Sequence, residues 1–265
     1  MAVNAEVDAR FPIRRERNVR IPMPDGVTLA ADLFRPEAPG RYPVVIEYLP
    51  YRKNDTTWQG YYGHRYLAER GYVSARIDVR GTGDSEGVAE DEYCPQEQLD
   101  GVSAIAWLAE QPWSSGTVGM FGTSYGGFNS LQVAMHRPPA LKAICPMYFT
   151  DNRYSDDCHY KGGQLQMLYD VGTYGLSMVG RNMLPPRPDL VGERWAHIWE
   201  DHLRTNRGCC AGWPTRRSTS SGGRGRSAKT MAPSSAPRTS SAAGATATPT
   251  ATCARSRTCN APGRS

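Results

Sequence analysis

The last 59 residues of this 265-residue chain, 207–265, contain no Leu, Ile, Val, Phe or Tyr and no Asp, Glu or His. A segment without large aliphatics cannot offset its ordering entropy by burial, so a packed domain is excluded there and a disordered tail is expected. Of those 59 residues, 51 are Ser, Thr, Ala, Gly, Pro or Arg, and nine Arg with one Lys give the tail +10. The net charge of +5 is therefore a property of the tail, since the first 206 residues carry 21 bases against 26 acids. No run of 18 apolar residues occurs, so no membrane span is predicted. Residues 1–17 mix acids and bases and lack an apolar stretch, which predicts no secretory leader. The seven cysteines form no C-x-x-C pair, and no H-x-x-x-H pair accompanies them, so no metal site is expected. Free thiols in a reducing cytoplasm are the expectation.

What is present before Asn206 has the rhythm of a folded domain. Val19, Ile21 and Met23 alternate with polar residues, Asp25-Gly26 offers a turn, and Val27, Leu29, Ala31 and Leu33 alternate again, which predicts a hairpin over 18–36. Apolar runs at Val44–Ile46, Tyr72–Val79, Thr117–Phe121 and Leu141–Met147 predict strands of a parallel sheet covered on both faces. Between them, Leu99, Val102, Ile105, Ala106 and Ala109 recur at helical spacing, and Phe128, Leu131, Val133 and Met135 predict a second helix stopped by Pro138-Pro139. Strands alternating with helices indicate an α/β fold. From 151 to about 204 the aromatic-rich chain, with Tyr154, Tyr160, Tyr174, Trp195 and Trp199, is expected to form helices and loops over the sheet.

The chemistry centres on Gly122-Thr123-Ser124-Tyr125-Gly126. A strand runs directly into this G-x-S-x-G and an apolar helix leaves it. Such a turn lifts the serine to the carboxyl edge of the sheet, with the next N–H aimed where an oxyanion forms. The glycines on either side are expected to be needed because a Cβ there would clash. A capping serine in a glycine-rich connection is the plainer alternative.

Gln111-Pro112-Trp113-Ser114, the run Val118–Gly127 and the run Asp78–Gly87 together resemble the CocE/NonD hydrolases, a family of cocaine-esterase-like, acylase-like and X-prolyl dipeptidyl-peptidase-like enzymes. The resemblance covers about residues 14–206. It implies an α/β-hydrolase core over 1–150, a helical cap over 151–206, no cofactor, and a Ser-Asp-His triad in that order. By position, Ser124 matches the nucleophile and Tyr51 the tyrosine whose hydroxyl completes the oxyanion hole with the Tyr125 N–H. The implied substrates are small esters, amides or peptides, with neither nucleic acid nor membrane as partner. An X-prolyl dipeptidyl peptidase is the closest alternative, with Glu193 or Asp157 available to hold a free amino terminus. A non-enzymatic fragment whose basic tail binds nucleic acid is the alternative from another class.

Other candidates carry less. Gly81-Thr82-Gly83-Asp84-Ser85-Glu86-Gly87 faintly resembles a dinucleotide fingerprint, but its third glycine is one residue late. It is expected to be a structural loop in which Arg80 pairs with Asp84. His64 and His136 are expected to be structural. His159, His197 and His202 lie in the cap, whereas the family takes its base after the last strand. Asp156-Asp157 reads as a solvated pair.

The triad Asp and His are missing downstream, since no Asp, Glu or His follows Arg204. The Arg, Ala, Gly, Pro, Ser and Thr that persist there have the composition of GC-rich coding DNA read out of frame. Pairing each wobble base with the next two bases, allowed codons from Asn206 spell Pro-Trp-Leu-Leu-Arg-Trp-Leu-Ala-His-Gln. From Thr239 they allow Leu-Val-Gly-Gly-Trp-x-Asp-Gly-Tyr, a strand followed by an Asp. A frameshift near Arg207, leaving an inactive N-terminal piece of a serine hydrolase, is therefore expected.

Overall fold

In the computed structural model, residues 11–55 and 58–204 are described, with the backbone alone for 58–62. The basic tail expected to be disordered lies outside the described residues. The alternating N-terminal pattern forms an antiparallel pair, β1 (Ile13–Pro22) and β2 (Thr28–Pro36), with Ile21 opposite Leu29. Gly26, at φ +87°, makes the turn, a conformation that a residue with a Cβ adopts only under strain. Ile21, Met23, Leu29, Ala31 and Leu33 all enter the core.

The apolar runs form β3 (Tyr42–Leu49), β4 (Val73–Asp78), β5 (Ser114–Thr123) and β6 (Leu141–Met147). The sheet order is β1-β2-β4-β3-β5-β6, with β4-β3-β5-β6 mutually parallel and β2 antiparallel to β4. Helix α1 (Trp58–Ala68) links β3 to β4, α2 (Pro95–Ala109) links β4 to β5, and α3 (Tyr125–Met135) links β5 to β6. This mostly parallel sheet flanked by helices is the α/β-hydrolase arrangement expected. From β3 the chain steps one way to β4, then returns across β3 to β5. Sheets that reverse direction in this way open a crevice at the carboxyl ends of the two strands at the switch, here β3 and β5.

Several sequence expectations shift. Helix α1 has no apolar stripe to read, because its buried positions include a polar one, His64, hydrogen-bonded to Ser74 Oγ at 2.6 Å and to Glu47 at 3.1 Å. Helix α2 buries Glu97, Asp100, Gly101, Ala104, Ile105 and Leu108; of the expected face Ile105 is buried and Val102 and Ala109 pack against the core, while Leu99 and Ala106 are exposed. It is turned so that Asp100 takes both nitrogens of Arg80 (2.7 and 2.8 Å) and Glu97 takes the Tyr125 hydroxyl (3.0 Å). Strand β6 is not covered on both faces: among the described residues it is the sheet edge, and Lys142, Ala143, Cys145 and Met147 are exposed.

The loop after β4 corrects the expected Arg80–Asp84 pair. Arg80 binds Asp100 and, at 2.8 Å, Asp25. Asp84 instead holds the amino group of Lys53, which is fully buried and also lies 3.6 Å from Asp32 and 3.8 Å from Asp78. Gly83 lets this loop curl over Asp78, whose carboxylate would lie 2.1 Å from an added Cβ. The glycines here serve that close approach, which is the structural role expected of them.

After β6 come a short hairpin, β7 (Tyr160–Lys161) with β8 (Gln164–Leu165), and a π-helical stretch, Leu168–Gly175. Helices α4 (Leu176–Met183), α5 (Pro188–Val191) and α6 (Trp195–Leu203) follow. No helix among the described residues is long and apolar enough to cross a membrane.

Candidate active site

Ser124 sits between β5 and α3 with φ 58° and ψ −115°, a conformation strained for any residue with a side chain. The fold enforces it from both sides: the Ser124 N–H donates to Met147 O (2.9 Å) and its carbonyl accepts from the Phe128 N–H (3.0 Å). The flanking glycines differ in what they permit. A Cβ on Gly122 would stand 2.5–2.7 Å from backbone atoms of Gly126, and one on Gly127 would stand 2.7 Å from Met147 O. A Cβ on Gly126 would meet only Tyr48 O, at 3.8 Å. Gly122 and Gly127 therefore allow the elbow to close, and the expectation that Gly126 is needed to avoid a clash is corrected.

Tyr51 follows β3, Ser124 follows β5, and the two side chains meet at the switch point. The Tyr51 hydroxyl faces the Ser124 hydroxyl and the Tyr125 N–H, both of which favour its ionised form. Burial pushes the phenol up to about 12, reinforced by Glu92 and Cys158 and opposed by Ser124 and Tyr125. It thus keeps its proton, and can donate it, throughout the neutral range. The phenol ring packs edge-on against Tyr125 at 6.1 Å, and Tyr125 in turn lies tilted at 32° and 4.3 Å from Tyr93.

Charged groups fix the backbone that carries Tyr51. Arg52 has a positive φ of 64°, and its guanidinium donates to Leu184 O (2.8 Å) and Pro185 O (2.9 Å). Arg181 donates to Tyr51 O (3.1 Å) and lies over the Tyr51 ring. The Lys53 N–H donates to Asp78 Oδ1 (2.5 Å). Burial pushes Asp78 up to about 6, with Asp84 adding to the rise and Lys53 opposing it. Sequence reasoning missed Lys53, because a lysine after a strand normally reads as a solvated charge.

Beside Tyr51 lies a polar cluster. Arg153, buried over the Tyr93 and Phe128 rings, donates to Glu92 (2.9 Å) and Asp157 (2.8 Å). Asp157 is therefore part of a buried ion pair and not the solvated residue expected. His159 is buried, with Nδ1 2.5 Å from Asp170 Oδ1. Burial opposes charging this ring, but hydrogen bonds to Asp170 and Cys158 outweigh it and push His159 up to about 9. Asp157, Cys158 and His159 place three potential metal-ligand atoms within 4.8 Å. Both Asp157 oxygens, however, already accept hydrogen bonds, from Arg153 and from the Cys158 N–H.

All five histidines have partners other than Ser124. His64 binds Ser74 and Glu47, His136 binds Gln98, His159 binds Asp170, His197 lies 3.8 Å from Asp201, and buried His202 meets Ser85 O at 2.8 Å. A groove of about 420 Å³ lined by Arg35, Tyr42 and Trp113 lies at the opposite, amino ends of β3 and β5. It is remote from this chemistry.

Comparison with known proteins agrees with the geometry. The profile of the X-Pro dipeptidyl-peptidase (S15) family matches residues 25–241, running past Asn206, the end expected from the motifs. Cocaine esterase of Rhodococcus sp. (strain MB1 Bresler) is 35% identical over 191 residues, 71% of this chain and 32% of that protein. A CocE/NonD family hydrolase from Staphylococcus aureus shares the fold, with a TM-score of 0.61 and 24% identity over 77% of this chain and 36% of that one. An alpha-amino acid ester hydrolase matches with a TM-score of 0.52 and 28% identity, over 63% of this chain and 30% of that one. The chain thus spans about a third of the length of these relatives.

Proposed function

This chain belongs to the X-Pro dipeptidyl-peptidase (S15) family, the CocE/NonD serine hydrolases, and from that premise we propose that it is the front part of an enzyme that cleaves ester or amide bonds through an acyl-enzyme on Ser124. The observation that carries the reading is the meeting of the Tyr51 hydroxyl, the Ser124 hydroxyl and the Tyr125 N–H at the switch between β3 and β5. In the reaction, Ser124 Oγ attacks the carbonyl carbon and the carbonyl oxygen takes up negative charge. Two preorganised donors, the Tyr51 O–H and the Tyr125 N–H, hold that charge. Loss of the alcohol or amine leaves the acyl-serine, which water hydrolyses.

The proton of Ser124 needs an acceptor. The five histidines are engaged elsewhere, and no Asp, Glu or His follows Arg204 in the sequence. The base and its orienting acid then belong to the frame displaced near Arg207, and the chain as written turns over poorly. The test compares this chain with one restored by a single-base change near codon 207, using p-nitrophenyl acetate hydrolysis and labelling of Ser124 by a fluorophosphonate. Restored activity is expected. Equal turnover by the unrestored chain would overturn the missing-base reading, and the cap histidines would be the next residues to replace.

The dipeptidyl-peptidase reading needs a carboxylate to receive an α-ammonium group. Asp157 is already paired with Arg153, and Glu193 is exposed. Both facts favour ester substrates, and a preference of the restored enzyme for Ala-Pro-p-nitroanilide over p-nitrophenyl acetate would reverse that choice.

A further inference from the structure

Tyr51 is gripped from the cap. Arg181, in the last turn of α4, donates from Nη1 to Tyr51 O (3.1 Å), and its guanidinium lies over the Tyr51 ring, 5.6 Å from the centroid. Arg52, the next residue after Tyr51, reaches the other way and donates to Leu184 O (2.8 Å) and Pro185 O (2.9 Å), in the turn that follows Arg181. Two arginines thus cross between the loop after β3 and one turn of the cap. Arg52 holds a φ of 64° there, a left-handed conformation that a bulky residue keeps only where its surroundings over-determine it. Among the described residues the one other partner of the Arg181 side chain is Ser177 Oγ, at 3.4 Å, and no carboxylate pairs with it. A helix arginine ordinarily faces water or an acid. This one is half-buried and turns both its charge and a donor onto Tyr51.

We propose that Arg181 is a positioning residue, which fixes the carbonyl and ring of Tyr51 so that the Tyr51 hydroxyl meets the oxyanion only while the cap turn 181–185 is seated on the loop after β3. The inference rests on the reading of Tyr51 as an oxyanion donor. A phenol hydroxyl stands at the end of a stiff ring, so a shift at the carbonyl or the ring is carried directly to the O–H. Displacing a positioned group by about 1 Å can cost about 10²-fold in rate. The second donor, the Tyr125 N–H, is carried by the elbow between β5 and α3. Loss of Arg181 therefore disables one donor and leaves the other in place.

The test is a double-mutant cycle in the frame-restored enzyme with p-nitrophenyl acetate. Arg181→Met keeps an apolar stem over the ring and removes the donors and the charge. Alone it should lower kcat about 10–10²-fold with KM changed less than about threefold. Added to Tyr51→Phe it should cost less than about threefold more, because the donor it positions is already gone. Arg181→Lys, which keeps a cation on a long stem, should fall between the parent and Arg181→Met. A loss below about tenfold in folded Arg181→Met overturns the proposal. So does an equal loss with and without Tyr51→Phe, since a residue that merely holds the cap in place would weaken both alike. If Arg181→Met loses its near-ultraviolet circular dichroism, the same cycle with Arg181→Lys decides, on whether its loss disappears in the Tyr51→Phe background. Failure of the underlying reading shows separately, as no turnover by the restored enzyme or a Tyr51→Phe loss below about threefold. Fluorine NMR of the chain as written, carrying 3-fluorotyrosine, then decides about Arg181. The Tyr51 resonance, assigned by its absence in Tyr51→Phe, should move or broaden in Arg181→Met, and an unmoved resonance overturns the proposal.

Discussion

The two glycines that bracket Ser124 in the G-x-S-x-G string should respond in opposite ways to an added methyl group. In Gly122→Ala, the new Cβ meets the Gly126 carbonyl carbon at 2.5 Å, its Cα at 2.6 Å and its oxygen at 2.7 Å. These are backbone atoms of the first turn of α3, so no side chain can swing aside. Either β5 or the start of α3 must move, and overpacking of this kind costs about 1–3 kcal/mol. For a folded region of this size each kcal/mol lowers the melting temperature by about 2–4 °C, so a drop of about 2–12 °C is expected. In Gly126→Ala the nearest atom, Tyr48 O, is 3.8 Å away, an ordinary contact. Alanine is favoured over glycine inside a helix by about 0.5–1 kcal/mol, so this variant should melt at the parent temperature or slightly above it. Gly127→Ala, with Met147 O at 2.7 Å, should resemble Gly122→Ala. Thermal unfolding followed by near-ultraviolet circular dichroism reads all three without requiring activity. Equal losses in Gly122→Ala and Gly126→Ala would refute the assignment of the steric demand to Gly122 and Gly127 rather than Gly126.

Three further outcomes follow from the same geometry. Lys53→Met should cost about 3–5 kcal/mol, because Asp78 and Asp84 lose the cation buried between them, and chemical denaturation would measure it. The His159 ring sits near 6.5 when unfolded and about 9 when folded, so its stabilisation is complete below about pH 6.5 and is lost as pH rises through 9. The melting temperature should therefore fall across that interval in the native chain and stay flatter in His159→Gln; identical profiles would remove the linkage. Tyr51→Phe in the frame-restored enzyme should lower kcat about 10²–10³-fold, the usual cost of one oxyanion donor, and a change below about threefold would make Tyr51 a packing residue.

Much of this is legible in the linear chain because the signals are local. The Asp25-Gly26 turn between alternating runs, and a strand running into Gly122-Thr123-Ser124-Tyr125-Gly126 and out into a helix, need only near neighbours to be recognised. The position of Tyr51 came from the family pattern, and the structure sets its hydroxyl against the Ser124 hydroxyl and the Tyr125 N–H. Helix faces were less legible. On α2 the apolar spacing places Ile105 correctly in the core but also selects Leu99 and Ala106, which are exposed, while the chain buries Glu97 and Asp100, because ions and hydrogen bonds supplied by Arg80 and Tyr125 offset the desolvation of two carboxylates.

By itself, the sequence determined the strands, the helices on either side of β5 and the elbow at Ser124, but not α1, since backbone preferences and apolar periodicity act over a few residues. Tertiary structure alone decided the charge partners. Arg80 is four residues from Asp84 in sequence but binds Asp100 and Asp25, while Asp84 reaches back to Lys53. It also decided that the elbow is sterically closed at Gly122 and Gly127 but not at Gly126, and that Asp170 comes to lie against His159 near the Cys158 thiol. Ion pairs and steric contacts depend on distances between side chains brought together by the fold of the sheet and the helices over it. A pattern of residue types along the chain carries no record of those distances.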